Sequence, residues 1–203
     1  MKKVILSLLA VGVLILSGCN SKEVKERVQV ENSSSPSITS QTNINKNDTV
    51  VVLKTNQGDI TLKMFPKVAP LAVENFVTHV KNGYYDGLIF HRVIKGFMIQ
   101  GGDPTGTGRG GESIWHKEFV NEYGDNVVFD RPFILAMANH GPNTNGSQFF
   151  ITTQPASHLN GGYTIFGEVI SGQDVVRKIE NTPTNRADRP VNKQVIQKAV
   201  IKE

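Results

Sequence analysis

The sequence lacks the residues that several common classes of site require. It contains one cysteine, so an intramolecular disulfide cannot form. Its five histidines are scattered without the spacing of metal ligands, and the spacing supports no Ser/His/Asp set. The formal net charge is +4, but lysine and arginine are not clustered among aromatic residues as they are in nucleic-acid sites. We therefore expect no metal, no cofactor and no nucleic-acid partner.

A glycine-rich stretch at residues 101–111 also lacks the features of a phosphate-binding loop. It has no Gly-Lys-Ser/Thr ending and does not lead clearly into a helix. We interpret it as a structural loop beside whatever site the domain carries.

The N-terminus has no apolar run long enough for a transmembrane helix, which needs roughly 20 residues. Instead, Lys2 and Lys3 precede a shorter apolar run that ends at Leu16. This layout is typical of an export signal that is removed from the mature protein. The residues Leu16-Ser-Gly-Cys19 resemble a bacterial lipobox, in which the cysteine thiol is lipidated and becomes the mature N-terminus. The alternative is a free thiol near an ordinary cleavage site.

These patterns predict three segments. Residues 1–18 form a lipoprotein signal peptide, and residues 19–48 contain the lipidated Cys19 and a flexible tether too polar to bury much apolar surface. Residues 49–203 have the length and composition of one domain with one core. We expect a monomer held at the extracytoplasmic face of the cell membrane, because the two acyl chains of a lipidated cysteine give stable anchoring.

The predicted domain has many short strand patterns and few helical ones. Residues 49–64 form two β patterns around a turn cluster and predict a hairpin. Pro70 opens a helical pattern that ends near Gly83. Further candidates, in chain order, are strands at 90–99, 133–138, 148–152 and 163–169, a short helix at 174–180 and a strand at 195–201. This pattern favours a barrel or a sandwich, and periodicity does not choose between them.

Two long segments are more specific than their periodicity. They are Phe90-His-Arg-Val-Ile-Lys-Gly-Phe-Met-Ile-Gln-Gly-Gly-Asp103 and Met137-Ala-Asn-His-Gly-Pro-Asn-Thr-Asn-Gly-Ser-Gln-Phe-Phe-Ile151. Both resemble signature stretches of the cyclophilin family, and the resemblance covers essentially the whole domain from about Thr49. It implies a mainly β fold, a closed eight-stranded antiparallel β-barrel capped by two α-helices, and peptidyl-prolyl cis-trans isomerase activity.

The resemblance also implies a substrate groove on the outer face of the barrel. The matching catalytic positions are Arg92 and Gln100. The matching substrate-binding positions are Phe97, Met98, Ala138, Asn139, Gln148, Phe150, His158, Leu159 and Tyr163. This sequence departs from the family pattern at His158, where many eukaryotic members have tryptophan, and at Tyr163, where many have histidine. Because Tyr163 keeps an aromatic face and a polar tip, we expect the groove wall to persist.

The implied substrates are proline-containing segments of unfolded or folding exported proteins. Rotation about an Xaa-Pro bond takes tens to hundreds of seconds without a catalyst, and it breaks no bond to a proton or nucleophile. A site accelerates it by binding the twisted amide more tightly than either planar form. Two alternatives stay open at this point: a non-catalytic chaperone module that holds proline-containing segments, and a solute-binding lipoprotein. The single small domain argues against the second, because such receptors usually need two lobes.

Overall fold

A computed structural model describes residues 49–202, which fold into one mainly β domain with two helices. The predicted signal peptide at 1–18, the predicted lipidation site Cys19 and the predicted tether to residue 48 lie outside the described residues. No helix within residues 49–202 is long and apolar enough to cross a membrane.

The elements follow one another along the chain, and the longest connections between them are residues 102–133 and 181–195. In chain order they are β1 (Val50–Thr55), β2 (Gly58–Met64), α1 (Pro70–Lys81), β3 (Arg92–Ile94), β4 (Met98–Gly101), β5 (Ile134–Met137), β6 (Phe149–Thr152), β7 (Ile165–Ser171), α2 (Gln173–Glu180) and β8 (Ile196–Lys202). A 3₁₀ turn at Ser157–Leu159 precedes β7.

The strand predicted at 90–99 is instead a hairpin of two short strands. β3 and β4 pair antiparallel, with Arg92 opposite Gln100. The reversal falls at Lys95-Gly96, where Gly96 adopts a φ of +75° that disfavours residues with a Cβ. The hairpin places the predicted catalytic pair side by side on neighbouring strands.

The eight strands form one antiparallel sheet in the order β3-β4-β6-β5-β7-β2-β1-β8. The prediction of a closed barrel is wrong in this respect, because the edge strands β3 and β8 do not pair with each other. An isolated bridge between Ile89 and Val195 spans this gap. The loop before β8 lies along β3 instead, since the main-chain N–H of Val93 donates to the carbonyl of Asp188 at 2.8 Å. The sheet is therefore an open half-barrel.

Strands β5 and β6 are buried on both faces, which explains their continuous apolar sequences. Side chains alternate between the faces of a strand. On the inner face, Leu135 and Phe149 join the main core with Phe76 and Phe166. On the outer face, Ala136 and Phe150 join a second apolar cluster. This outer cluster forms the floor of the candidate site.

The N-terminus of α1 is capped by a residue distant in sequence. The cap position, Ala69, offers no side-chain acceptor, and Pro70 has no N–H to satisfy. The next two N–H groups, of Leu71 and Ala72, donate to the two carboxylate oxygens of Glu122 at 3.0 and 2.9 Å. Glu122 is in turn tied to the start of β7, because its own N–H donates to Thr164 Oγ1 at 2.8 Å.

Candidate active site

A row of paired residues crosses four neighbouring strands on the outer face of the sheet. Arg92 on β3 lies opposite Gln100 on β4, and Gln100 lies opposite Phe150 on β6. Phe150 in turn lies opposite Ala136 on β5. The strand register therefore places a guanidinium, an amide and an apolar ring next to one another.

Three of these residues, Arg92, Gln100 and Phe150, border a pocket of about 130 Å³. Its lining residues all belong to the set predicted from the sequence, and they are Arg92, Phe97, Met98, Gln100, Ala138, Asn139, Phe150, Leu159 and Tyr163. The floor is buried and apolar, whereas the Arg92 side chain on the rim is 47% exposed. Such a pocket can enclose a small apolar ring and leave the guanidinium accessible from solvent.

Aromatic contacts fix the shape of the apolar side. The ring of Tyr163 meets that of Phe150 edge-on, with centroids 5.5 Å apart and planes at 90°. Phe150 also stacks on the buried ring of Phe129, with centroids 5.9 Å apart. Because three rings restrain one another, the pocket is formed before a ligand binds.

Two of the predicted site residues do not line this pocket. His158 is exposed, and its ring packs 5.5 Å from that of Phe97 at the outer edge. Gln148 lies behind the wall, where its Oε1 accepts from Gln100 Nε2 at 2.9 Å and its own Nε2 donates to the carbonyl of Gly110 at 2.8 Å. Gln148 thus fixes the orientation of the Gln100 amide.

The main chain of Asn139 is available at the rim. Its N–H and carbonyl make no hydrogen bond within residues 49–202, whereas its side chain is anchored through Nδ2 to the carbonyl of Gly162 at 3.0 Å. An extended peptide crossing the pocket could pair with these main-chain groups, as strands pair in a sheet.

A second pocket of about 260 Å³ lies beyond the ridge formed by Gln100, Ala138 and Asn139. Its rim carries two exposed histidine–glutamate pairs. The pairs are His116 with Glu112 and His140 with Glu118, each at 2.9 Å. Residues 108–113 line this second pocket, so the end of the glycine-rich stretch borders the pocket next to the one that contains Arg92.

The main-chain N–H groups of the glycine-rich stretch are occupied by its own aspartate. The buried carboxylate of Asp103 accepts from the N–H groups of Thr105, Thr107 and Gly108 at 2.8, 3.0 and 2.6 Å. Burial alone would raise the pKa of Asp103, but hydrogen bonds from the Thr105 hydroxyl and from the main chain of Thr105, Gly110 and Gly108 outweigh it and lower the pKa to about 2. A loop whose donors are used in this way does not present them to a phosphate.

The sequence did not single out Asp188, which the structure places beside Arg92. Its Oδ2 lies 3.6 Å from Arg92 Nε. The two residues are 96 positions apart in numbering, and Asp188 lies in a turn-rich stretch that gave no signal of a site.

No group of three or more His, Cys, Asp or Glu residues placed to hold a metal ion occurs within the described part of the chain.

The chain is similar to known proteins over the region that builds this site. The sequence model of the family described as cyclophilin type peptidyl-prolyl cis-trans isomerase/CLD matches residues 50–201. Peptidyl-prolyl cis-trans isomerase 9 of Schizosaccharomyces pombe is 58% identical over 140 residues, which are 69% of this chain and 23% of that protein. Peptidyl-prolyl cis-trans isomerase CYP18-1 of Arabidopsis thaliana is 56% identical over 141 residues, which are 70% of this chain and 88% of that protein.

The fold is also similar to solved structures. A crystal structure of a Cryptosporidium parvum cyclophilin type isomerase shares 45% identity at a TM-score of 0.75, covering 77% of this chain and 98% of that one. A second crystal structure of that protein was obtained in the presence of the dipeptide Ala-Pro.

The chain spans about a quarter or less of the length of several curated relatives, with 23%, 22% and 23% for three of them. Since the family match covers the whole described domain, this chain belongs to the cyclophilin type peptidyl-prolyl cis-trans isomerases, a family of enzymes.

Proposed function

We propose that this domain accelerates rotation about Xaa-Pro bonds, with Arg92 and Gln100 as its catalytic residues. The observation that carries the proposal is the position of the Arg92 guanidinium on the rim of an apolar pocket of about 130 Å³. A proline ring is apolar and small enough for such a pocket. The charged group then lies beside the amide that has to rotate.

The chemistry requires no proton transfer and no nucleophile. The barrier of about 18–20 kcal/mol comes from the partial double-bond character of the amide. In the twisted state that character is lost, and the prolyl nitrogen gains a basic lone pair. A guanidinium N–H donor aimed at this nitrogen binds the twisted state more strongly than the planar ones, which is what catalysis needs. Arginine carries its charge at any working pH, so the donor is present throughout.

The magnitude shows that Arg92 works together with the pocket. A hydrogen bond from a charged donor contributes roughly 1.5–3 kcal/mol. At 1.36 kcal/mol per decade, this corresponds to about one to two orders of magnitude in rate. The remaining acceleration comes from groups that bind the peptide. The apolar floor packs against the proline ring, the main chain of Asn139 pairs with the substrate, and the amide of Gln100, oriented by Gln148, contacts it.

The proposed substrates are proline-containing segments of exported proteins, and the proposed location is the extracytoplasmic face of the cell membrane. The support for both is the N-terminal sequence, where Lys2 and Lys3, a short apolar run and Leu-Ser-Gly-Cys19 follow in the order of a lipoprotein signal. The relatives named above are eukaryotic and give no support to a bacterial lipoprotein form. We expect the chain to be labelled by palmitate in a bacterial host and the Cys19→Ala variant not to be labelled. Equal labelling of the parent and the variant would refute lipidation at Cys19.

The test of activity is proline isomerisation in a short Xaa-Pro peptide, with the purified chain and its Arg92→Ala variant. We expect the variant to lose at least about tenfold in kcat/KM. Arg131→Ala serves as the matched control, because Arg131 is half-exposed, pairs with Asp130 and Glu168, and does not line the groove. A correctly folded parent that binds proline-containing peptides without accelerating their rotation would leave the chaperone module as the better account.

A further inference from the structure

The loop between α2 and β8 brings an acidic side chain beside the Arg92 guanidinium. Asp188 Oδ2 lies 3.6 Å from Arg92 Nε, with the two side chains 43% and 47% exposed. Nε is the nitrogen through which the guanidinium is attached to its stem. An anion at that position leaves the two terminal nitrogens, which carry four of the five donors, for the groove.

Asp188 is held at this point by the main chain of its own loop. The Asn185 carbonyl accepts the N–H of Asp188 at 3.1 Å, and Asn185 Oδ1 accepts the N–H groups of Ala187 and Arg189 at 2.9 and 3.1 Å. The Arg189 guanidinium donates to the carbonyl of Gly106, which ties the loop to the glycine-rich stretch. These bonds fix the conformation of the loop and attach it to the glycine-rich stretch.

The loop is also attached directly to the strand that carries Arg92. The carbonyl of Asp188 accepts the N–H of Val93, the residue after Arg92, at 2.8 Å. Asp188 itself has a φ of +59°, in the left-handed region that aspartate and asparagine tolerate better than most residues. The sheet is open at this edge, so the loop occupies the place that a closing strand would have taken.

We propose that Asp188 is a positioning residue for catalysis, whose carboxylate holds Arg92 Nε so that the terminal nitrogens face the prolyl nitrogen in the groove. The inference rests on the proposed function of Arg92. An arginine side chain has several rotatable bonds, and a fixed guanidinium loses less freedom when it forms its bond in the transition state. The carboxylate also offsets part of the positive charge, which would lower the rate. We infer that orientation outweighs this effect, because the carboxylate approaches Nε and Asp188 does not line the pocket.

The expected effect is modest because the pair is partly exposed. Such a pair stabilises its geometry by at most about 1 kcal/mol, which corresponds to about fivefold in rate. Asp188→Asn is the most conservative test, because asparagine tolerates the same φ and the substitution removes only the negative charge. We expect kcat to fall about two- to fivefold with KM unchanged, since Arg92 acts on the transition state.

The experiment measures kcat, KM and the melting temperature of the purified chain carrying Asp188→Asn, alone and combined with Arg92→Ala. Asp174→Asn is the matched control, since Asp174 pairs with Lys178 at 3.3 Å on α2 and does not line the groove. We expect no loss from Asp174→Asn, and no further loss from Asp188→Asn once Arg92 is absent. If Asp188→Asn unfolds the chain, Asp188→Gly replaces it, because glycine fits the φ without a carboxylate.

The outcomes separate this inference from the proposed function. An inactive parent overturns the proposed function. An active parent whose kcat is unchanged or raised by Asp188→Asn overturns the positioning role alone, and so does an equal loss in the Arg92→Ala background. The NMR resonance of the Arg92 Nε–H gives a readout independent of turnover. We expect it to shift in Asp188→Asn and not in Asp174→Asn, and an unmoved resonance would show that the carboxylate does not hold Nε.

Discussion

Replacing Asp103 by asparagine tests whether one buried carboxylate organises the loop beside the site. Asp103 is 1% exposed and accepts three main-chain N–H groups and the Thr105 hydroxyl. Its folded-state pKa of about 2 lies below the ordinary value of 3.8. Asparagine keeps one oxygen acceptor but loses the charge, so the charge-assisted bonds weaken.

The magnitude follows from the shift in pKa. The folded pKa is depressed, so the carboxylate contributes stability above the unfolded value of 3.8 and loses it as the pH falls through the folded value of about 2. At 1.36 kcal/mol per unit, the contribution at neutral pH is about 2 kcal/mol. We expect Asp103→Asn to lower the free energy of unfolding by that order at pH 6, and to lower it very little at pH 2.

The assay is denaturant unfolding of parent and variant at several pH values from 6 to 2. The parent should lose about 2 kcal/mol more than Asp103→Asn between about pH 4 and pH 2. Asp125→Asn, a change of the same type at an exposed loop position, should follow the parent. Parallel curves for parent and Asp103→Asn would refute the reasoning, because the carboxylate would then have the same pKa folded and unfolded.

Two further predictions concern features that depend on distant parts of the chain. Glu122→Ala should destabilise the domain by about 0.5–2 kcal/mol, because it removes both acceptors at the N-terminus of α1. Glu122→Gln should recover part of this loss in a thermal melt. Equal melting temperatures for the parent, Glu122→Ala and Glu122→Gln would contradict the capping role. Gly102→Ala should cost more than about 2 kcal/mol, because φ is +86° and a Cβ would lie 2.6 Å from the Ser147 carbonyl oxygen. Gly87→Ala, at a φ of +79° with open space around it, isolates the backbone cost alone, and equal losses in the two variants would show that the contact with Ser147 does not matter.

The sequence by itself identified most of the residues around the groove. The segments from Phe90 to Asp103 and from Met137 to Ile151 matched the family closely, and nine predicted residues line one pocket. Local signals also located the hairpin at β1 and β2 and both helices, because turn residues and apolar periodicity act over a few residues. The roles of these side chains, the signal peptide and the lipid on Cys19 remain predictions.

Three features were decided only by the tertiary structure. The loop around Asp188 lies along β3 at the open edge of the sheet, and no local pattern encodes which edge a distant loop will follow. Glu122 caps α1 from some 50 residues away, so the helix start shows no capping residue of its own. Asp188 reaches Arg92 through the same long-range packing. Each depends on contacts between segments far apart in sequence, whereas propensity and periodicity report only on neighbours along the chain.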